Sequence, residues 1–331
     1  MERPSLASQS SYCANWGYGG SSKRKATAQP TRARSAWGDD TVQEQSCLFD
    51  TDGSGFHLDR ARFDRWLREQ ALASGVRAMQ ATPKRLEKSE DGRVVGLILR
   101  SAEGDRHITA RHFADATGRA GWLSSRMGAE RLVPQELVGV ARWYEGDAGT
   151  PVMLVEATKE GWWYTAPLPG ALRVALWVTE AGSEFAHAGN SEALWQQCLD
   201  SAPQVRSALA GAAALGKTRT RRAGPTLTSW DSASNWLPVG DAAAAFDPIS
   251  GQGLCFAMRS ALGAASVLEG LHSGKSRLLD AYRAGARPAP MPTSSQPKPP
   301  RTSKRACASV RSPASRTCPL DGSSESTSRV E

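Results

Sequence analysis

Two carboxylates set among small residues are the side chains of this chain best suited to hold a ligand. The stretch VGDAAAAFDPISGQGLCFAM, residues 239–258, places Asp241 directly after Gly240 and Asp247 directly before Pro248. An apolar strand that ends in Gly-Asp puts the carboxylate just beyond the carboxyl end of the strand, where α/β sheets bind ligands. A carboxylate there accepts hydrogen bonds from sugar-like hydroxyl groups, and the alanines leave room beside it.

A glycine-containing loop connects this carboxylate to a helix. Residues 247–253, DPISGQG, precede a long run of small and apolar residues, which predicts a helix whose first backbone N–H groups are free. A helix N-terminus stabilises negative charge. Glycines alone favour a structural interpretation, in which small residues only pack at a helix entry. The order GD, DP and GQG favours ligand binding instead.

The segment GDAAAAFDPISGQGL resembles the C-terminal FAD motif of flavoprotein monooxygenases and of the related geranylgeranyl-reductase and flavin-dependent halogenase families. The resemblance implies FAD as the cofactor, with Asp241 at the ribityl chain, Gly240 beside it and the helix N-terminus at the negatively charged edge of the reduced flavin. The residues that it places along the flavin ring are Pro248, Gly251, Gln252, Gly253 and Leu254.

Two further segments are similar to FAD motifs of the same families. LDRARFDRWLREQALASGV resembles the segment in which an arginine points to the cofactor. The resemblance assigns that place to Arg60, with Arg62 as the second choice and a solvated helix face as the structural alternative. ADATGRAGWLS resembles the motif beside the adenosine half of FAD, which is carried here by Asp115, Ala116, Thr117 and Gly118.

The span from about Ser35 through GWWYTAPLP to the GD motif is most similar to the flavoproteins that mature quinoprotein amine oxidases. This resemblance implies an aromatic substrate, either a small molecule or a tryptophan of a partner protein, and NAD(P)H or a reductase as electron donor. The candidate substrate contacts are Trp162, Trp163 and Tyr164, for which a place in the sheet core is the favoured alternative. The segment departs from the halogenase pattern Gly-Trp-x-Trp-x-Ile-Pro, and no lysine can be assigned a halogenase's catalytic role.

The arrangement of the remaining patterns predicts an α+β fold. We expect an incomplete α/β FAD-binding domain of the glutathione-reductase-like type, with an antiparallel β-sheet substrate domain inserted into it. A capped helix over residues 59–74 and a strand HITARHFADAT belong to the first domain. The predicted boundaries are an irregular segment 1–35, the FAD-binding domain 36–133 and 229–285, the substrate domain 134–228, and a disordered basic Pro/Ser-rich tail 286–331.

The G-x-G-x-x-G unit that opens these families has no counterpart in the sequence. GYGGSS, residues 17–22, follows no apolar strand and precedes no helical pattern. We therefore expect the first βαβ unit to be absent, the chain to be a fragment or frame-shifted, and the affinity for FAD to fall, because this unit holds the pyrophosphate. The alternative function is a non-catalytic remnant that does not bind FAD.

Composition argues against several other classes of protein. The net charge is +8, but the tail 286–331 holds eight Lys/Arg against three Asp/Glu and so supplies +5 of that charge. The remainder of the chain is nearly balanced in charge, which argues against a nucleic-acid-binding protein. The six cysteines are scattered, which argues against a metal site or a disulfide framework. Neither a membrane span nor a secretory signal is predicted, so we expect a cytoplasmic protein.

Overall fold

The computed structural model describes residues 27–28, 32–37, 41–46, 57–146, 152–230, 235–273, 279–280 and 282. The expectations for GYGGSS, for an absent βαβ unit before it and for a disordered tail 286–331 lie outside the described residues. Within them the chain forms an α+β fold, which confirms the predicted class.

Five α-helices and seventeen strands occur in the described residues. The helices are α1 Arg60–Ala73, α2 Trp122–Arg126, α3 Glu192–Asp200, α4 Pro203–Ala208 and α5 Gly253–His272. The strands are β1 Thr27–Ala28, β2 Arg32–Ala36, β3 Val42–Ser46, β4 His57–Leu58, β5 Ala81–Lys88, β6 Val94–Ser101, β7 Gly104–Thr109, β8 Phe113–Asp115, β9 Glu130–Leu132, β10 Leu137–Glu145, β11 Val152–Ala157, β12 Trp162–Leu168, β13 Leu172–Glu180, β14 Ala213–Arg222, β15 Thr226–Ser229, β16 Trp236–Pro238 and β17 Ala244–Ala245.

The largest sheet has seven strands in the order β14-β10-β13-β12-β11-β2-β3. Its strands pair antiparallel except for β2 and β11, which run parallel. Side chains alternate between its two faces, as in β11, where buried and half-buried residues succeed one another. One face is covered by α3 and α4, and the core between them contains Val140, Trp163, Trp177, Trp195 and Val205.

The strands β2 and β3 correct the predicted domain boundaries. Residues 32–36 form β2, which pairs with β11 from Arg32↔Val152 to Ala36↔Glu156, and residues 42–46 form β3, which pairs with β2, so both strands belong to the large sheet. The physical reason is that β11 has a free edge whose backbone groups are satisfied by an added strand. The polar sequences RARSA and VQEQS lack the apolar alternation from which a strand is predicted.

A parallel pair, β8 and β16, lies at the centre of the second region, and α5 packs against it. Phe113 and Leu237 from the two strands share a core with Val94 of β6 and Val267 of α5. The predicted strand HITARHFADAT is interrupted, because β7 ends at Thr109 in the antiparallel sheet β5-β6-β7 and β8 begins only at Phe113.

The two long helices follow the sequence prediction. Asp59 caps α1 by accepting a hydrogen bond from the Arg62 backbone N–H at 3.2 Å, and Phe63 of α1 is buried against Met258 of α5. By length and composition α5 could cross a membrane, and it is the one helix of the described part with that property. Its buried residues Ala264 and Val267 share the core of the parallel pair, and Met258 packs against α1.

Candidate functional site

The turn after β16 carries the predicted ribityl ligand. Gly240 has φ +60°, a left-handed conformation that favours glycine, and a Cβ at this position would stand 3.5 Å from Ala257 Cβ of α5. The Gly240 N–H donates to Ser260 Oγ at 2.9 Å, which ties the turn to α5. The Asp241 side chain is 40% exposed beyond the carboxyl end of the strand. A carboxylate is therefore presented to solvent where the motif predicts one.

The turn after β8 is organised by Asp115, which is 1% exposed. One carboxylate oxygen accepts from Thr117 N at 3.1 Å and Thr117 Oγ1 at 2.6 Å. The other accepts from Ser124 N at 2.8 Å and Ser124 Oγ at 2.6 Å. Burial raises the pKa of Asp115, but the hydrogen bonds from Ser124 and Thr117 outweigh it and hold the pKa below its ordinary value. Four donors of the chain occupy both carboxylate oxygens, so the side chain of Asp115 positions the turn, and its predicted place at the cofactor stays a prediction.

Gly118 lies in that turn with φ +65°, and no atom stands within 4 Å of the Cβ position. The same open space surrounds the Cβ position of Gly253 at the start of α5. We call residues 115–121 and 240–253 the motif turns. They meet at the carboxyl ends of β8 and β16, because the two strands are parallel neighbours.

Two arginines hold the motif turns together. Arg119 donates to the carbonyl oxygens of Gly224, of Ala223 at 3.3 Å and of Phe246 at 3.1 Å, and its Nε lies 3.7 Å from Asp241 Oδ2. Arg131 donates to the carbonyl oxygens of Arg119 and, at 3.2 Å, of Asp241. Burial lowers the pKa of Arg131, as does the charge of Arg119. Sequence reasoning missed both residues: Arg119 directly follows the ATG motif and could have been found there, whereas Arg131 gave no local signal.

The loop before α5 is shaped by Asp247. Its side chain accepts from the Ile249 N–H at 3.0 Å, and burial raises its pKa, against the opposing effects of that hydrogen bond and of Arg119. Pro248 opens a short 3₁₀ turn that ends at Gly251, where φ is +62°. The predicted flavin residues Gln252, Gly253 and Leu254 follow at the start of α5. The helix that follows this loop contacts the Gly240 turn through Ala257 and Ser260.

Arg60 lies on the exposed first turn of α1. Its Nε pairs with Asp64 Oδ1 at 3.2 Å on the same helix, and its side chain is 61% exposed. Arg62, the second choice, is also exposed on this helix. Arg60 pairs within its own helix, and the cofactor contact predicted for this helix stays a prediction.

The three predicted aromatic residues divide between the two faces of the large sheet. Trp163 is 0% exposed on the face covered by helices, 4.9 Å from the Trp195 ring centroid, and its Nε1 donates to Cys198 O at 3.3 Å. A substrate contact for Trp163 is therefore wrong, because core residues surround the ring. Trp162 and Tyr164 lie on the opposite face, in one apolar cluster with Ile249 of the motif turns.

Tyr164 and Ile249 are half-buried members of that cluster. Burial raises the pKa of Tyr164 to about 12, against the opposing effect of the Arg173 charge. Its phenol is therefore protonated in neutral solution and can donate a hydrogen bond. Among the described residues, no group of three or more His, Cys, Asp or Glu side chains could hold a metal ion.

Comparisons with known proteins agree with this geometry. The family model described as tryptophan halogenase matches residues 21–283. The putative FAD-dependent oxidoreductase LodB of Marinomonas mediterranea is 27% identical over 231 residues, which cover 69% of this chain and 62% of LodB. This chain therefore spans less than two thirds of that relative.

Two solved structures show the fold. The myxobacterial chondrochloren halogenase CndH, a FAD-dependent halogenase, has a TM-score of 0.74 at 22% identity, covering 85% of this chain and 69% of that chain. The peptidyl tryptophan dihydroxylase QhpG, essential for tryptophylquinone cofactor biogenesis, has a TM-score of 0.62 at 23% identity, covering 86% of this chain and 63% of QhpG. The superfamily predicted from the motifs is confirmed.

Proposed function

The chain belongs to the tryptophan halogenase family, and from this premise we propose that it is a FAD-dependent oxidoreductase that oxidises an aromatic, tryptophan-like group in a monooxygenase-type reaction. FAD is the cofactor of this group of proteins. The observation that carries the proposal is the meeting of the motif turns at the carboxyl ends of β8 and β16, with the Asp241 carboxylate exposed between them.

The residues of the motif turns fit FAD. Asp241 offers acceptor oxygens to the hydroxyl groups of the ribityl chain, and the empty Cβ positions of Gly118 and Gly253 allow a ligand to approach the backbone closely. At the start of α5, Gln252 makes no side-chain cap and the first turn holds no acidic residue. This helix N-terminus is suited to the negative edge of a reduced flavin.

Each part of the site has a separate task in the proposed reaction. FAD supplies the redox chemistry and the activation of O₂ when it is bound. Arg119 and Arg131 hold the turn that carries Asp241, so the carboxylate keeps its direction. The half-buried side chains of Ile249 and Tyr164 pack with the buried Trp162 and form an apolar surface beside the proposed flavin position. That surface excludes water and packs against a flat aromatic group.

The substrate class is argued from that surface and from the relatives. QhpG acts on a peptidyl tryptophan, and the first curated relative is named an oxidoreductase. We propose a tryptophan-like group of a small molecule or of a partner protein as substrate, and NAD(P)H or a reductase as electron donor. The proposed location is the cytoplasm.

Flavin binding tests the proposal directly. The purified protein is expected to be yellow or to take up added FAD, which a visible spectrum and a fluorescence titration measure. D241A removes the acceptor for the ribityl hydroxyls, and R119K keeps the charge but loses the planar fork that holds three carbonyls. Each is expected to weaken FAD binding by about tenfold, equivalent to about 1.4 kcal/mol.

The matched control is R106Q. Arg106 lies on β7 and is half exposed, where it pairs with Glu103 away from the motif turns. It should bind FAD as the unmodified chain does. A colourless protein that takes up no FAD supports the non-catalytic alternative and rejects the enzyme. Oxygen consumption with a tryptophan-containing peptide and with free tryptophan then separates the two substrate sources.

A further inference from the structure

A second cavity lies at the opposite ends of the same two strands. Its volume is about 360 Å³, and its lining includes Ser89, Arg93, Val95, Arg111, His112 and Asn235. Residues 112 and 235 directly precede β8 and β16, whereas Asp115 and the Gly240 turn follow them. Strands of three residues separate the two ends by roughly 10 Å. The cavity is therefore distinct from the motif turns.

The wall of this cavity is fixed by Asn235, which is buried. Its Oδ1 accepts from the Val94 N–H at 3.1 Å, and its Nδ2 donates to Val94 O at 2.7 Å and to Arg111 O at 3.0 Å. These bonds hold the segment between β7 and β8 against the start of β6. Because Asn235 makes the hydrogen bonds to these backbone groups, the side chains of Arg93 and Arg111 are not required for them.

The cavity concentrates positive charge. Among the described residues neither Arg93 nor Arg111 forms an ion pair with a carboxylate, whereas Arg85 and Arg106 on the adjoining sheet pair with Glu87 and Glu103. Asp91 lies two residues before Arg93, and its Oδ1 accepts from the Arg93 backbone N–H at 3.5 Å. Its carboxylate already accepts from Ser89 Oγ at 2.5 Å, and this bond, ahead of the charge of Arg93, lowers its pKa.

His112 adds an unused polar atom. Its Nδ1 is buried and has no hydrogen-bond partner among the described residues. Burial lowers the pKa of His112, and the positive charges of Arg111, Arg93 and His272 act in the same direction. The Nδ1 atom is closed to solvent, so an anion in the cavity would act on His112 by offsetting the positive charges around its ring.

We propose that this cavity binds a small phosphate-bearing anion, held by the guanidinium groups of Arg93 and Arg111 and by the imidazole of His112. Planar guanidinium forks match phosphate oxygens in a bidentate manner, and the two forks come from different segments, Arg93 before β6 and Arg111 between β7 and β8. The anion can be free phosphate or the phosphate of a nucleotide. This site is separate from the proposed flavin site and does not depend on it.

Calorimetry with inorganic pyrophosphate as the probe tests the site. The double variant R93Q/R111Q should bind it at least tenfold more weakly than the unmodified chain, and R106Q should bind it unchanged. Pyrophosphate that occupied the flavin site instead would bind R93Q/R111Q normally, which overturns the proposal. Absence of binding to the unmodified chain also overturns it. Parallel titrations with inorganic phosphate and with ADP distinguish the two sources of the phosphate.

Histidine NMR provides a second readout at the atom concerned. The ring resonances of His112 are identified by their loss in H112Q. Pyrophosphate should shift them and raise the pKa of His112, because the anion offsets the charges of Arg93, Arg111 and His272. His187, in the 3₁₀ helix Glu184–Gly189, serves as the internal control. An unchanged His112 titration at saturating pyrophosphate contradicts the proposal even where calorimetry detects binding.

Discussion

The motif turns and the helix-covered face of the large sheet are held together by different forces. In the turns, Asp115, Arg119 and Arg131 hold the backbone with charged hydrogen bonds. On the sheet, Trp163, packed between Trp177 and Trp195, buries apolar surface. Hydrogen bonds fix direction at little net gain in stability, whereas packed rings contribute stability with little chemical specificity. The comparison predicts that damage to the sheet unfolds the protein and damage to the turns first impairs ligand binding.

The largest effect is expected from W163A. Truncating a fully buried indole leaves a cavity between the sheet and α3, so the free energy of unfolding should fall by about 3–5 kcal/mol. Urea denaturation followed by fluorescence measures it. W143A is the control, because Trp143 is only half-buried, under Arg219. Equal losses in the two variants would show that packing on this face is not what stabilises the sheet.

D115N tests the turn side of the comparison. In D115N an NH₂ group replaces one of the two carboxylate oxygens and faces the hydrogen-bond donors of Thr117 or Ser124. The unfolding free energy should therefore fall by about 1–3 kcal/mol at neutral pH. The pKa of Asp115 is depressed in the folded protein, so its stabilising effect is present at neutral pH and lost as pH falls through the folded pKa. The difference between the unmodified chain and D115N should therefore shrink in acid. A difference that is independent of pH would mean that the charge of Asp115 is not the cause.

E156Q gives the smallest effect and the opposite dependence on pH. Glu156 is buried on β11 and accepts from the Gln204 and Val205 N–H groups at the start of α4, at 3.2 and 2.8 Å. Burial raises its pKa, so the unmodified chain loses stability as pH rises towards the folded pKa. E156Q lacks this loss, and its unfolding free energy should rise relative to the unmodified chain between acid and neutral pH. If the stability difference between E156Q and the unmodified chain changed with pH in the same direction as that of D115N, the two regions would not differ in how they respond to pH.

Local patterns predicted the elements that carry the motifs. Asp59 caps α1, β16 leads into Gly240 and Asp241, and α5 follows Gln252, as the sequence indicated. The patterns did not predict β2 and β3, because polar strands at a sheet edge are specified by the backbone groups of β11 and not by their own side chains. Nor did they predict the break between β7 and β8, because the bonds that hold it come from Asn235, far away in sequence.

The sequence by itself determined the family, the FAD motifs and the order of strand, turn and helix around Asp241, because each is a local arrangement of residue types. Only the tertiary structure decided what the side chains do. Asp115 bonds within its own turn, whereas the Asp241 side chain is partly exposed to solvent. Trp163 lies in the core and Tyr164 in one cluster with Ile249. Arg119 links three segments of the chain. These roles depend on burial and on partners distant along the chain, which no spacing in the sequence encodes.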